Sequence, residues 1–224
     1  MHTLAVAPEI SNESTLAATK TRIEKAIDNV MGSLPKPDQL SSEERRGMIA
    51  RYTAVLEGNF IYWMTAAYLS VQSEEARPII IDNLLEEVRD SHPAMLRRFA
   101  IAASAMPTRE DALAIHDELT RARLFFGKLS GVQTLVAMAF FEGFIQRYMA
   151  YLADLAVAQG STEMEYTDVH GVCDIAHTEG LIQALSTEMV LNPLRPDANV
   201  LEGVELLEAL MHRVVYGKNS AAAA

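Results

Sequence analysis

Gly131-Val132-Gln133-Thr134-Leu135-Val136-Ala137-Met138-Ala139-Phe140-Phe141-Glu142-Gly143-Phe144-Ile145 opens the most apolar stretch of the chain, which runs on to Ala158. It has almost the length of a membrane span. Gln133, Glu142, Gln146, Arg147 and Asp154 interrupt it, so it reads as a buried helix in a bundle. A helix that is apolar nearly all round needs packing partners on all sides.

The flanking sequence supplies those partners. Almost every segment has helical periodicity and helix punctuation. No alternating strand of useful length occurs, and neither an Asn-Gly nor an Asp-Gly hairpin signal. The first helix is expected from about Glu13 to Gly32, followed by the rigid connection Leu34-Pro35-Lys36-Pro37-Asp38. Ser41 and Glu44 have capping-box spacing and open a long helix predicted to reach Val71. Ser73 caps the next helix, and Ser91-His92-Pro93 marks a break and restart towards Ala105. Thr108 and Asp111 start another helix, and Ser130 precedes the apolar one. Thr167 is expected to cap the helix ending near Val190, and the last helix follows Pro196-Asp197 and closes at Gly217. The reading is all-α, with about seven to eight helices in one domain over residues 13–217. Residues 1–12 and 218–224 are read as flexible tails.

Composition narrows the function. Half of the 224 residues are hydrophobic, ample for a sizeable core. The net charge of −11, with no dense Lys/Arg cluster, argues against a nucleic-acid partner or an anionic membrane. The lone cysteine, Cys173, allows no intramolecular disulfide, and residues 1–8 lack the pattern of a signal peptide. A cytoplasmic protein acting on a small molecule is therefore expected.

The strongest local motif is His170-Gly171-Val172-Cys173-Asp174-Ile175-Ala176-His177. At about 100° per residue, His170, Asp174 and His177 fall within roughly 60° of one another on a helix. Leu181 and Ala184 continue that face, so it points into the core. Imidazole with carboxylate suits iron, manganese or zinc better than calcium or magnesium. Glu142 shares a face with Leu135, Met138, Ile145 and Met149, and Glu57 with Ala50, Phe60, Ile61, Met64 and Tyr68. An unpaired buried carboxylate costs several kcal/mol or takes up a proton, so each needs compensation. In Asn83-Leu84-Leu85-Glu86-Glu87-Val88-Arg89-Asp90-Ser91-His92, the predicted core stripe is Ile81, Leu84, Leu85 and Val88. Glu87 lies at its edge and Glu86 points away. His92 reaches the same site only if the helix breaks after Glu87, as Ser91 and Pro93 permit. Glu57, Glu87, Glu142 and Asp174 together balance two divalent cations, and facing helices commonly build di-iron carboxylate sites.

This set resembles the haem-oxygenase-like di-iron oxidases and oxygenases over roughly Arg51 to Met189. In that pattern Glu57 matches the early glutamate, and Glu87 and His92 match the Asn-Leu-x-x-Glu stretch. Glu142 matches the central glutamate, and His170, Asp174 and His177 the closing His-x3-Asp-x2-His. Glu87 and His92 stand closer together than in many members. The resemblance implies a haem-oxygenase-like bundle with two Fe ions and O2 as co-substrate. It implies a small substrate (an amino acid, an amino-acid derivative or a fatty acid) undergoing desaturation, oxidative C–C cleavage or N-oxidation in a natural-product pathway. A homodimer is expected by analogy with the fold class alone. Two alternatives stay open: a metal-free thiaminase-like enzyme using Cys173, and a non-enzymatic metal-binding helical protein.

Overall fold

In the computed structural model, which describes residues 12–195 and 197–219, a glycine divides the long second helix. The described residues form nine α-helices: α1 (Asn12–Gly32), α2 (Ser42–Leu56), α3 (Asn59–Ser70), α4 (Ala76–Arg89), α5 (His92–Ala102), α6 (Arg109–Phe126), α7 (Gly131–Ala158), α8 (Glu165–Leu191) and α9 (Glu202–Tyr216). Short 3-10 turns occupy Pro37–Gln39 and Gly217–Asn219. The expected N-terminal tail lies outside the described residues up to position 11, as do Pro196 and the C-terminal tail from position 220.

The count exceeds the expected seven to eight because the stretch from Ser41 to Val71 is two helices. Glu57 leaves helical geometry at ψ 101°, and Gly58 takes φ 82°, a left-handed conformation open to glycine at little cost. The capping boxes at Ser41/Glu44 and Thr108/Asp111 both form. The Ser73 hydroxyl accepts from Ala76 N, and Gly217 closes α9. Two boundaries differ from the reading. α8 starts at Glu165, where Thr167 Oγ1 turns back to Met164 O and does not cap, and α9 starts at Glu202.

α7 is the central helix. Nineteen of its residues are buried, and it packs against α8 most extensively and also against α1, α2, α3 and α9. This is the all-round burial that its sequence demands. α4 lies along α8, and Gly180 makes the approach close: a Cβ there would stand 2.7 Å from Ile79 Cγ2. The α4–α8 and α7–α8 seams thus meet on one side of α8, and the chemistry-bearing residues gather there. Among the described residues, no helix is long and apolar enough to cross a membrane.

Candidate metal centre

Helix α4 presents a face other than the one hydrophobicity suggested. Ala76, Ile80, Asn83 and Glu87 are buried, while Leu85 and Val88 face outward. Two of the four inward positions carry polar side chains, so an apolar-periodicity reading chose the wrong phase. The correction moves Glu87 from the edge of the stripe to its centre. α4 ends at Arg89, and Ser91 adopts φ 59° before His92 and Pro93 start α5. This turn brings His92 Nδ1 to 2.8 Å from Glu87 Oε1.

Glu87, His92 and His170 form a first buried cluster. His170 Nδ1 bonds Tyr166 O at 2.9 Å, so in the neutral ring Nδ1 carries the proton and Nε2 offers a lone pair. That Nε2 stands 3.6 Å from Glu87 Oε1, and the two imidazole centroids are 4.5 Å apart. Donors at about 2.1 Å from a common ion stand roughly 3.0–3.4 Å from each other, close to these separations.

Cys173, Asp174 and His177 form a second cluster. His177 Nε2 lies 2.8 Å from Glu86 Oε2. Its Nδ1 faces Asp174 Oδ1 at 3.6 Å and Glu142 Oε2 at 3.7 Å without a hydrogen bond. Asp174 Oδ2 is also buried without a partner. Glu142, 1% exposed on α7, links the clusters: its Oε1 accepts from Asn83 Nδ2 at 2.9 Å, and it lines a cavity of about 20 Å³ with Glu87, His92 and His170. Leu56, Phe60, Ile61, Leu96 and Ile145 supply apolar walls to that cavity.

The electrostatics show a site short of positive charge. Burial and the Asp174 charge push the Glu142 carboxyl up to about 7, against the pull of His177 and Asn83. Burial disfavours charge on His177, yet Asp174, Glu142 and Glu86 outweigh it and raise the ring to about 11. Burial likewise opposes ionisation of Glu87, but His170 and His92 outweigh it and hold the carboxyl down at about 2. Protons held this tightly occupy the place that cations would take. Orphaned lone pairs, nitrogen and oxygen donors and close spacing all fit a metal pair.

Glu57 is the exception among the expected residues. The helix break rotates it off the face drawn through Ala50 and Met64. Its side chain is 31% exposed and ion-paired with Arg97 of α5, and it joins neither cluster. The expectation of a buried glutamate on one continuous helix is therefore corrected. Cys173 shows no sign of an activated nucleophile. Its thiol donates to Asp174 Oδ1 at 3.2 Å, and burial and nearby carboxylates push its pKa far up. Asn83, Glu86 and Tyr166 are supporting residues that the sequence reading did not assign. Asn83 was detectable in principle, since it lies one helical turn before Glu87.

An all-helical bundle thus buries three histidines and three carboxylates in two adjoining clusters, a donor set suited to metal ions. The chain belongs to the iron-containing redox enzyme family, whose pattern matches residues 49–211. This agrees with the resemblance read from the sequence, and the all-α haem-oxygenase-like fold stands with it. No curated protein matches the chain.

Proposed function

We propose that the protein is a non-haem di-iron oxidase or oxygenase that uses O2 to oxidise a small molecule. The observation that carries this reading is the pair of adjoining buried clusters, with Asp174 Oδ2 and His177 Nδ1 unpaired in the second. Glu87, His92 and His170 would hold one iron. Asp174 and His177 would hold the other, with Glu142 between the two. Glu57 stays with Arg97 and is outside this set.

Bound ferrous ions would supply the electrons that reduce O2. The chain's own residues prepare the place. Tyr166 O and Glu86 hold one nitrogen of the His170 and His177 rings, so that the other nitrogen of each faces inward and would ligate a metal on losing its proton, an arrangement common to metal-binding histidines. Asn83 fixes Glu142 and leaves its Oε2 free. Leu56, Phe60, Ile61, Leu96 and Ile145 give this small cavity an apolar wall, the kind of lining that would face the carbon–hydrogen portion of a substrate once the pocket opens to admit it. An amino acid, an amino-acid derivative or a fatty acid presents such a portion, with desaturation, C–C cleavage or N-oxidation as the outcome.

The test mixes anaerobically Fe(II)-loaded protein with O2 in a stopped-flow spectrometer, with and without a panel of amino and fatty acids. A transient visible absorption that one compound class accelerates is expected. Fe(II)-loaded protein that neither consumes O2 nor changes absorbance would overturn the proposal.

A further inference from the structure

Two divalent ions bring four positive charges to the centre, while Glu87, Glu142 and Asp174 bring three negative ones. Glu57 is committed to Arg97. Glu86 lies outside the donors, bonded to the far nitrogen of His177, and its side chain is 45% exposed, so water screens its charge. A buried site with one uncompensated charge is costly. The missing anion stands within reach on α8.

We propose that Cys173 is a metal ligand and binds as a thiolate beside Asp174 and His177; this rests on the metal-binding reading above. On a helix, Cys173 lies about 60° from His170 and 40° from His177, so it shares their face. Its Sγ and donor atoms of Asp174 and His177 all lie within 4.8 Å of one another. The Sγ–Oδ1 separation of 3.2 Å suits a sulfur at about 2.3 Å and an oxygen at about 2.1 Å from one ion.

Two further atoms point to the same place. Asp174 Oδ2 and His177 Nδ1 belong to residues 1% and 9% exposed, and neither has a hydrogen-bond partner. With Cys173 left as a thiol, its proton is shared with Asp174 and those two atoms stay unsatisfied. With a cation present, the S–H bond breaks, the sulfur–metal bond forms and the proton passes to solvent. The thiolate then brings the count to four negative charges against four positive.

The two metal positions are therefore chemically unlike. Glu87, His92 and His170 offer only nitrogen and oxygen, whereas the position at Asp174 and His177 includes a soft sulfur. Soft donors favour zinc and similar ions over manganese. The second position is thus the one expected to retain Zn(II) or Co(II) against chelators.

The experiment titrates the metal-free protein anaerobically with Co(II). Visible bands report bound ions, and a near-ultraviolet sulfur-to-cobalt charge-transfer band reports the thiolate. Alkylation of Cys173 by iodoacetamide is followed in parallel. The expected result is two Co(II) per chain, a charge-transfer band that saturates with one of them, and alkylation slowed at least tenfold. Cys173→Ser and Cys173→Ala should both lose the band and weaken one Co(II) at least tenfold while the other binds as before. Two bound Co(II) without the near-ultraviolet band, and with alkylation as fast as in the metal-free protein, would overturn the thiolate ligand and leave the metal centre standing. No bound Co(II) would overturn both.

Discussion

Asp174 and Glu188 are buried carboxylates on the same helix, about 21 Å apart along α8, and they have opposite surroundings. Glu188, fully buried, accepts from Gln72 N, Ser73 N and Asn192 Nδ2 at 2.9–3.3 Å. It ties the α3–α4 turn to the end of α8. Asp174 accepts only from a thiol through Oδ1, and its Oδ2 is unpaired. Burial alone does not separate a structural acid from a functional one; the donor inventory does. An acid supplied with backbone N–H groups is complete, whereas one facing other acceptors needs a cation.

The largest expected effect comes from removing the incomplete acid. Asp174→Ala or His170→Ala should abolish stoichiometric iron binding while the protein stays folded. Plasma emission and circular dichroism read the two outcomes, and unchanged iron content would break the comparison. Glu188→Ala should do the reverse. It should cost about 2–4 kcal/mol by leaving buried N–H groups unpaired. Denaturant midpoints measure the loss, and the folded fraction should still bind metal.

A smaller effect of opposite sign is expected at Glu142. Its folded carboxyl is raised to about 7, so ionising it at pH 8 weakens the metal-free fold. Glu142→Gln should stabilise the metal-free protein at that pH by about 1 kcal/mol. A loss of stability would show that His177 already compensates the charge.

The same shifts give a pH dependence. Both Glu142 and His177 hold protons more tightly folded than unfolded. Their contribution is fully present below the unfolded values and declines as pH rises through about 7 for Glu142 and about 11 for His177. The thermal midpoint of the metal-free protein should therefore fall between pH 5 and 9, and metal loading should flatten the slope. Parallel slopes would mean that protons and metal do not share the site.

The smallest effects belong to the periphery. Glu86→Gln should weaken one iron by about tenfold through its His177 contact. Glu57→Gln should leave the iron count at two. Loss of an iron in Glu57→Gln would return that residue to the ligand set.

How much of this was legible in the sequence follows from the same contrast. The α7 stretch read correctly because a helix apolar on every side has few alternatives. The His170–His177 face read correctly because it lies on one unbroken helix with Leu181 and Ala184 beneath it. Glu57 misled because the helix ends at Leu56, just before it, where Gly58 with positive φ turns the chain. α4 misled because its inward face carries Asn83 and Glu87 while Leu85 and Val88 face out, so apolar periodicity pointed the wrong way. Glu188 carries no signal in the sequence. Its partners are backbone N–H groups from another helix junction, and no local pattern reveals them.

The most direct test is an anaerobic Fe(II) titration of the metal-free protein read by Mössbauer spectroscopy with 57Fe. Saturation at two irons per chain in two distinguishable environments is expected, with both signals oxidised together on exposure to O2. Saturation at one iron, or no iron held in the buried centre, would contradict it.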